Sequence, residues 1–238
     1  MSYHGRSYPQ TLGAFAAEAD AEDRAGFITS TYLHLTGAVG LFMLLEVILL
    51  NIPGIERLVA TMLSGRQSWL VVLALFMVVS WVANAWASSA ISPVTQYAGL
   101  LLYVVAQAVI FVPLLYIARA IDPEIITAAA LTTCGLFVAL TGVVFVTRKD
   151  FSFLRAVLIF SGFAAMGLIV AALAFGFSLG PLFTYAMIAF ACGYILYDTS
   201  NVLYHYRIGQ HVAAALALFA SVALLFWYVL QLFMSRRR

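Results

Sequence analysis

Residues 67–118, QSWLVVLALFMVVSWVANAWASSAISPVTQYAGLLLYVVAQAVIFVPLLYIA, contain no Asp, Glu, Lys or Arg. A helix needs about 20 apolar residues to cross the hydrocarbon core of a bilayer, so this run is long enough for two crossings. The uncharged residues 88–93 lie between the two halves and end in Pro93, and a proline at a helix start costs no hydrogen bond. The run therefore predicts a tight transmembrane helical hairpin.

The rest of the chain repeats this apolar pattern. Of its 238 residues, 64% are hydrophobic and 9% are charged, with a mean hydropathy of +1.02, whereas about 25% of the residues of a soluble domain are charged. Such a chain cannot cover its surface with polar groups, so lipid must be its solvent. Seven spans are predicted, at residues 27–50, 69–89, 94–117, 125–146, 153–175, 181–204 and 212–234.

We therefore expect an all-α integral membrane protein with about seven transmembrane helices in residues 27–234. A hydrophilic N-terminal tail at 1–26 and a basic C-terminal tail at 235–238 flank the bundle. The N-terminal tail lacks the basic-then-apolar order of a signal peptide, and we expect it to be poorly ordered.

Other features exclude several classes of function. The net charge of +2 is too small to indicate nucleic-acid binding. Cys134 and Cys192 both fall within apolar runs, which indicates reduced, buried thiols rather than disulfides. The only lysine, Lys149, lies in a loop and excludes a retinal Schiff base. No HExxH, GxSxG or phosphate-binding loop motif occurs, so we expect neither an enzyme nor a cofactor.

The Lys and Arg residues near the span ends indicate the orientation, since they favour the cytoplasmic side. With the N-terminus inside, the inner segments carry six Lys and Arg residues and the outer loops carry three. The three arginines at the C-terminus also lie outside in this orientation, which makes the two sides equal. We expect a cytoplasmic N-terminus and an external C-terminus. The alternative is that one span is re-entrant and both ends lie inside.

Ionisable groups within the predicted spans are the candidates for chemistry, because a charge at mid-membrane costs about 2.5–3.5 kcal/mol. They are His34, Glu46 and Asp198. Glu46 is close to the outer end of its span and could extend its carboxylate towards water, or serve as a secondary acid. Its separation from His34 places the two groups on different faces of one helix.

Asp198 belongs to a polar stripe at the end of the sixth span. On a helix, residues three and four apart share a face, and the stripe comprises Tyr194, Tyr197, Asp198, Asn201 and His205. These side chains could bind a cation or relay a proton. The alternative is that Asp198 lies near the inner interface and only forms hydrogen bonds with its neighbours.

The loop after the fourth span is the densest charge cluster outside the tails. It contains Arg148, Lys149 and Asp150, followed by Arg155. Part of its role is to signal topology, because basic loops favour the cytoplasmic side.

Two motifs give the chain a family resemblance. They are FVTRKDFSFL at 145–154, closing span four, and YDTSN at 197–201, ending span six. With them, the chain resembles the Bax inhibitor-1 family from about residue 27 to 234, in particular its bacterial YccA-like branch. The resemblance implies a bundle in which the last helix is central and the other six wrap around it. It also implies a cation leak, chiefly of calcium, that responds to pH.

In the family, this activity centres on one carboxylate in span six and one in span seven, which share a proton because two close carboxylates cannot both ionise cheaply. Asp198 matches the first position, where calcium would bind transiently. The alignment puts Leu224 at the second position, and residues 212–234 contain no Asp or Glu.

Because span seven lacks the second family carboxylate, two functions are possible. In the first, Asp198 works alone, or with a remote acid such as Glu46, in a calcium or cation leak. In the second, the chain does not conduct and interacts instead with a membrane AAA quality-control protease, as substrate or modulator, through its acidic N-terminal tail. Either function places the chain in a lipid bilayer, and we expect the bacterial inner membrane.

Overall fold

The computed structural model describes residues 13–89 and 92–237. In these residues the chain is helical, apart from turns and one isolated antiparallel bridge between Phe15 and Arg207. The helices are α1 (Ala21–Leu50), α2 (Ile55–Met62), α3 (Arg66–Ala87), α4 (Pro93–Ile121), α5 (Glu124–Thr147), α6 (Leu154–Phe175), α7 (Gly180–Tyr204) and α8 (His211–Arg236). All except α2 are long and apolar enough to cross a membrane, which confirms the predicted all-α fold with seven spans.

The last helix, α8, lies at the centre of the bundle. It packs against α1, α3, α4, α5 and α7, while α6 packs mainly on α7 and α3 in an outer layer. In its most apolar stretch, 67% of the residues of α8 are buried, as against 17% for each of α5, α6 and α7. The central position of the last helix is therefore confirmed, although the other helices do not surround it evenly.

The hairpin of α3 and α4 depends on small residues at the point of contact. A Cβ added to Gly99 would lie 2.5 Å from the Ala87 nitrogen and 2.6 Å from the Ala83 oxygen. Both alanines are buried. The two backbones can approach this closely only because no larger side chain stands between them.

Contacts between distant segments define the two ends of the bundle. At the N-terminal end, the Ala16 N–H donates to the Tyr206 oxygen at 2.8 Å, and the Ile208 N–H donates to the Ala14 oxygen at 2.9 Å. At the C-terminal end, Arg237 forms an ion pair with Asp122. An odd number of spans places the two termini at opposite ends.

These contacts correct the predicted N-terminal tail. Helix α1 begins at Ala21, six residues before the predicted boundary at residue 27. Ala16 is fully buried, and the Arg207 guanidinium lies 5.1 Å from the centre of the Phe15 ring. Residues 13–26 are therefore part of the folded bundle, and residues 1–12 of the tail lie outside the described residues.

The short helix α2 was not predicted. Ile55, Val59 and Met62 are buried at spacings of four and three residues, and the remaining residues of the helix are exposed. Its eight residues are too few to cross a bilayer. This helix covers part of the C-terminal end of the bundle.

Candidate functional site

A cavity of about 810 Å³ lies between α3, α4, α6, α7 and α8. It extends from Trp69, Gly180 and Gln231 at the C-terminal end of the bundle to Asp198 in the interior. Its wall is mostly apolar, and Asp198 is the only Asp, Glu, His, Lys or Arg among the described side chains that line it. The cavity thus brings a single carboxylate to the inner end of an apolar space.

Asp198 is buried and hydrogen-bonded to the central helix. Its side chain is 7% exposed, and the Ser221 hydroxyl of α8 donates to its Oδ2. Leu224, one turn further along α8, lines the same cavity. The resemblance puts Leu224 at the position of the second family carboxylate, and in the fold Ser221, one turn earlier on α8, supplies the side chain that bonds to Asp198.

The predicted polar stripe on α7 divides into separate environments. Tyr194 lines the cavity together with Asp198. Tyr197 and Asn201 are half-buried and are not among the residues of the cavity wall. His205 follows the end of α7 and bonds to Asp150 of the α5–α6 loop. The five residues therefore do not form one continuous site.

The α5–α6 loop and the end of α7 form a hydrogen-bonded clasp, which we define by Arg148, Asp150, Ser200, Tyr204 and His205. Arg148 adopts a left-handed conformation with φ of 51° where α5 ends, and its carbonyl oxygen accepts a bond from the Tyr204 hydroxyl at 2.5 Å. Asp150 Oδ1 accepts from the Ser200 hydroxyl at 3.2 Å, and Oδ2 lies 3.0 Å from His205 Nε2. The two motifs that carry the family resemblance thus meet in the fold.

The clasp changes the titration of Asp150. Partial burial alone would raise the pKa of this carboxyl, but the Ser152 N–H, at 2.8 Å, and the His205 side chain donate hydrogen bonds to it. Their combined effect lowers the pKa of Asp150 below its ordinary value. Lys149, the third charged residue predicted in this loop, is exposed and makes only a weak backbone contact at 3.5 Å to the Thr147 hydroxyl.

The connection after α7 lies at the N-terminal end of the bundle and is held by the segment that precedes α1. Burial raises the pKa of Tyr206, and the charge of Asp198 raises it further. The backbone of Tyr206 is in turn held by Ala16. Backbone hydrogen bonds thus join residues 14–16 to residues 206–208 at this end of the bundle.

Glu46 lies in a different environment from Asp198. Its side chain is 5% exposed, and neither carboxylate oxygen has a hydrogen-bond partner in the described part of the chain. The side chain therefore does not reach water at the membrane surface, which corrects the prediction. Glu46 is also absent from the wall of the cavity.

The depth of Glu46 follows from the pairing of α1 with α8. The His34 and His211 rings lie 4.8 Å apart, and the Phe42 and Phe219 rings lie 5.9 Å apart. From the first pair to the second, both helices advance by eight residues, so α1 and α8 run parallel with a constant offset in numbering. With this offset, Glu46 lies at the depth of about residue 223. Asp198 bonds to Ser221, so Glu46 and Asp198 lie at similar depths in the bundle.

Sequence reasoning missed Ser221 and Tyr206. The search for a partner of Asp198 considered only carboxylates, and a serine in an apolar span is common in helix packing. The sequence feature that could have indicated Ser221 is the small number of residues between α7 and α8. A short connection brings the first half of α8 to the same depth as the last turns of α7. Among the described residues, no group of three or more His, Cys, Asp and Glu side chains could hold a metal ion.

Comparisons with known proteins agree with the architecture. The family model described as "Inhibitor of apoptosis-promoting Bax1" matches residues 24–238. The chain is 36% identical over 116 residues to Bax inhibitor 1 of Schizosaccharomyces pombe. This alignment covers 46% of this chain and 42% of that protein. It is 32% identical over 111 residues to Uncharacterized protein PA2604 of Pseudomonas aeruginosa, covering 46% of this chain and 50% of that protein. The chain thus aligns with half or less of the length of these two relatives.

Proposed function

Because the chain belongs to the Bax inhibitor-1 family, we propose that it is a pH-sensitive cation leak channel in which Asp198 contacts the cation. The observation that carries the proposal is the position of Asp198, the only carboxylate among the described residues that line a large cavity within the transmembrane bundle. Calcium is the transported ion that the family resemblance implies. The assignment to the YccA-like branch stays a prediction.

Asp198 gives the leak its proton sensitivity. An ionised carboxylate in a low-dielectric interior attracts a cation, and the bound cation offsets the cost of the buried charge. Protonation removes this attraction, so cation flux must fall as the carboxyl becomes protonated. Ser221 supplies a hydroxyl rather than a second carboxylate, and the pH response is therefore a single, non-cooperative titration.

Passage of ions also requires a movement at the N-terminal end. Residues 206–208 follow α7, the helix that carries Asp198, and are held by backbone hydrogen bonds to residues 14–16. We propose that displacement of this connection opens the leak. The clasp lies directly beside it and ties the end of α7 to the α5–α6 loop.

We further propose that the N-terminal end faces the cytoplasm of a bacterium and that the bundle lies in the inner membrane. Arg148, Lys149, Arg155 and Arg207 belong to segments at this end, which agrees with the rule that basic loops stay inside. Reporter fusions at the 148–150 loop should give a cytoplasmic signal. An external signal would reverse the orientation.

The test of the leak is ion flux in proteoliposomes that contain the purified protein, measured from about pH 5 to about pH 8. We expect flux to rise with pH and Asp198→Asn to abolish both the flux and its pH response. If wild type and Asp198→Asn show the same flux at every pH, the leak proposal is wrong.

A second candidate function is that of a non-conducting partner of a membrane AAA protease, as substrate or modulator. Glu18, Asp20 and Glu22 are exposed at the N-terminal end, where a protease could engage the chain. Because residues 14–16 pack on the bundle, the informative variant keeps them and replaces Glu18, Asp20 and Glu22 by the matching amides. A longer lifetime in cells for this variant would support the interaction, and unchanged turnover would count against it.

A further inference from the structure

The cavity that ends at Asp198 is larger than an inorganic ion requires. Its volume is about 810 Å³, and pockets for drug-sized ligands have volumes of roughly 300–1,000 Å³. A water molecule occupies about 30 Å³ in the liquid, so even an ion with a full hydration shell would leave much of the space empty. The cavity has room for an organic molecule with several rings.

Aromatic side chains form much of the wall beyond Asp198. Phe190 meets Tyr194 edge to face, with ring centroids 4.9 Å apart, and Trp69 stacks on Trp227 at 6.4 Å. All four rings line the cavity. The face of an aromatic ring attracts cations, and aromatic cages bind quaternary ammonium groups. The wall therefore combines apolar area with an affinity for positive charge.

The charge and oxygen content of the wall favour a monovalent cation. Asp198 contributes one negative charge, and one of its oxygens already accepts the Ser221 hydroxyl. Stable calcium binding takes about six to eight oxygen ligands. The other side-chain oxygens in the described part of the wall all belong to neutral residues, namely Tyr103, Gln107, Thr184, Tyr194, Ser221, Tyr228 and Gln231. The wall thus offers a divalent ion one carboxylate, whose single charge matches that of a monovalent cation.

We propose that this cavity binds a monovalent lipophilic organic cation, with its charged centre beside Asp198 and its hydrocarbon groups against the aromatic wall. The inference rests on the proposed function only in taking Asp198 as the cation contact. A cation that is held in the cavity need not cross the membrane, so binding and leak can be measured independently.

The experiment measures the binding of radiolabelled tetraphenylphosphonium to the purified full-length protein by equilibrium dialysis in detergent, at about pH 8. We expect saturable binding by wild type and at least about tenfold weaker binding by Asp198→Asn, a change equivalent to about 1.4 kcal/mol. Glu46→Gln is the matched control, because it neutralises the other buried carboxylate of the bundle, which lies outside the cavity wall, and it should bind as wild type does.

A second variant and a neutral probe distinguish the contribution of the Asp198 charge to binding from that of the shape of the cavity. Ala165→Phe keeps the carboxylate but fills part of the cavity, so it should also weaken tetraphenylphosphonium binding at least about tenfold. Triphenylphosphine oxide, which is similar in size and uncharged, should bind more weakly to wild type and should not distinguish wild type from Asp198→Asn.

Three outcomes overturn the inference. One is equal binding of tetraphenylphosphonium by wild type, Asp198→Asn and Ala165→Phe. Another is preferred binding of the neutral probe, which would indicate an apolar occupant such as a lipid chain. The third is an Asp198-dependent ion flux without any binding of the organic cation, which would leave the leak proposal intact. Binding that depends on Asp198 in the absence of ion flux would support the inference and reject the leak.

Discussion

Asp198 and Glu46 are both buried carboxyl groups in apolar helices, yet their surroundings differ in every other respect. Asp198 faces α8 from α7, accepts a hydrogen bond from Ser221 and lines a large cavity. Glu46 lies on α1, has no hydrogen-bond partner within the described residues and lies outside the cavity wall. Burial of an acid in a membrane helix therefore does not by itself indicate a site.

The difference concerns how each group can exchange protons and ions. Asp198 can meet a cation because empty space adjoins its carboxylate, whereas Glu46 is enclosed by packed side chains. An isolated charge in such a place is very costly, and a carboxyl without partners is expected to stay neutral. The two groups serve as mutual controls in the following predictions.

The largest expected effect is the loss of cation flux in Asp198→Asn. A unit charge pair separated by 4 Å is worth about 4 kcal/mol at an effective dielectric constant of 20, so removing the charge should reduce flux by about a hundredfold or more. Glu46→Gln should retain the flux and pH response of wild type in the same proteoliposomes. Equal losses in both variants would show that the two environments are not functionally distinct.

A second carboxylate at Ser221 should change the form of the pH response. In Ser221→Asp, two acids would face each other and titrate in two coupled steps instead of one. Leu224→Asp adds the same charge one turn away and serves as the matched control, which should not couple as strongly. The measurement is flux against pH. A two-step response in Leu224→Asp but not in Ser221→Asp would contradict the observed pairing of α7 with α8.

Replacement of Glu46 by an apolar residue should stabilise the protein. Glu46→Leu removes a buried polar group that has no partner among the described residues, and such groups cost about 1–3 kcal/mol in proteins. We expect a higher melting temperature for this variant in detergent. Asp198→Leu should gain less, because it removes the acceptor of the Ser221 hydroxyl. A larger gain for Asp198→Leu would reverse the contrast between the two acids.

The smallest effect is expected for Asp150, a carboxylate that is 44% exposed and well bonded. Its pKa is lowered in the folded protein, so its contribution to stability is present above the unfolded pKa of about 3.9 and is lost as the pH falls through the lowered value. Asp150→Asn should reduce the free energy of unfolding at pH 7 by no more than about 1 kcal/mol. Its stability should converge with that of wild type in acid. A difference that persists below the lowered pKa would contradict this assignment.

Much of the architecture could be predicted from the apolar pattern. The spans and the hairpin depend on local composition, since each helix in lipid must satisfy its own backbone. The tail at 13–26 could not be predicted in the same way. Its polar composition indicated disorder, but the Ala16 N–H and the Ala14 oxygen find partners in the connection after α7.

The site was only partly predictable. Asp198 stood out because an acid is rare in such a span, and its place in the cavity wall agrees with the predicted cation contact without testing it. The partner on α8 and the separation of His205 from the stripe depend on the length and path of the 205–210 connection. A helical spacing rule applies only while the helix continues, and α7 ends at Tyr204.

The sequence by itself determined that the chain lies in lipid, how many times it can cross and which few acids lie within the spans. These properties follow from side-chain transfer energies and helix length, which act residue by residue. Only the tertiary structure decided that Ser221 meets Asp198, that Glu46 is enclosed and that a cavity adjoins one acid and not the other. The reason is that these features depend on the rotation and depth of each helix relative to α8, which are set by packing between distant segments.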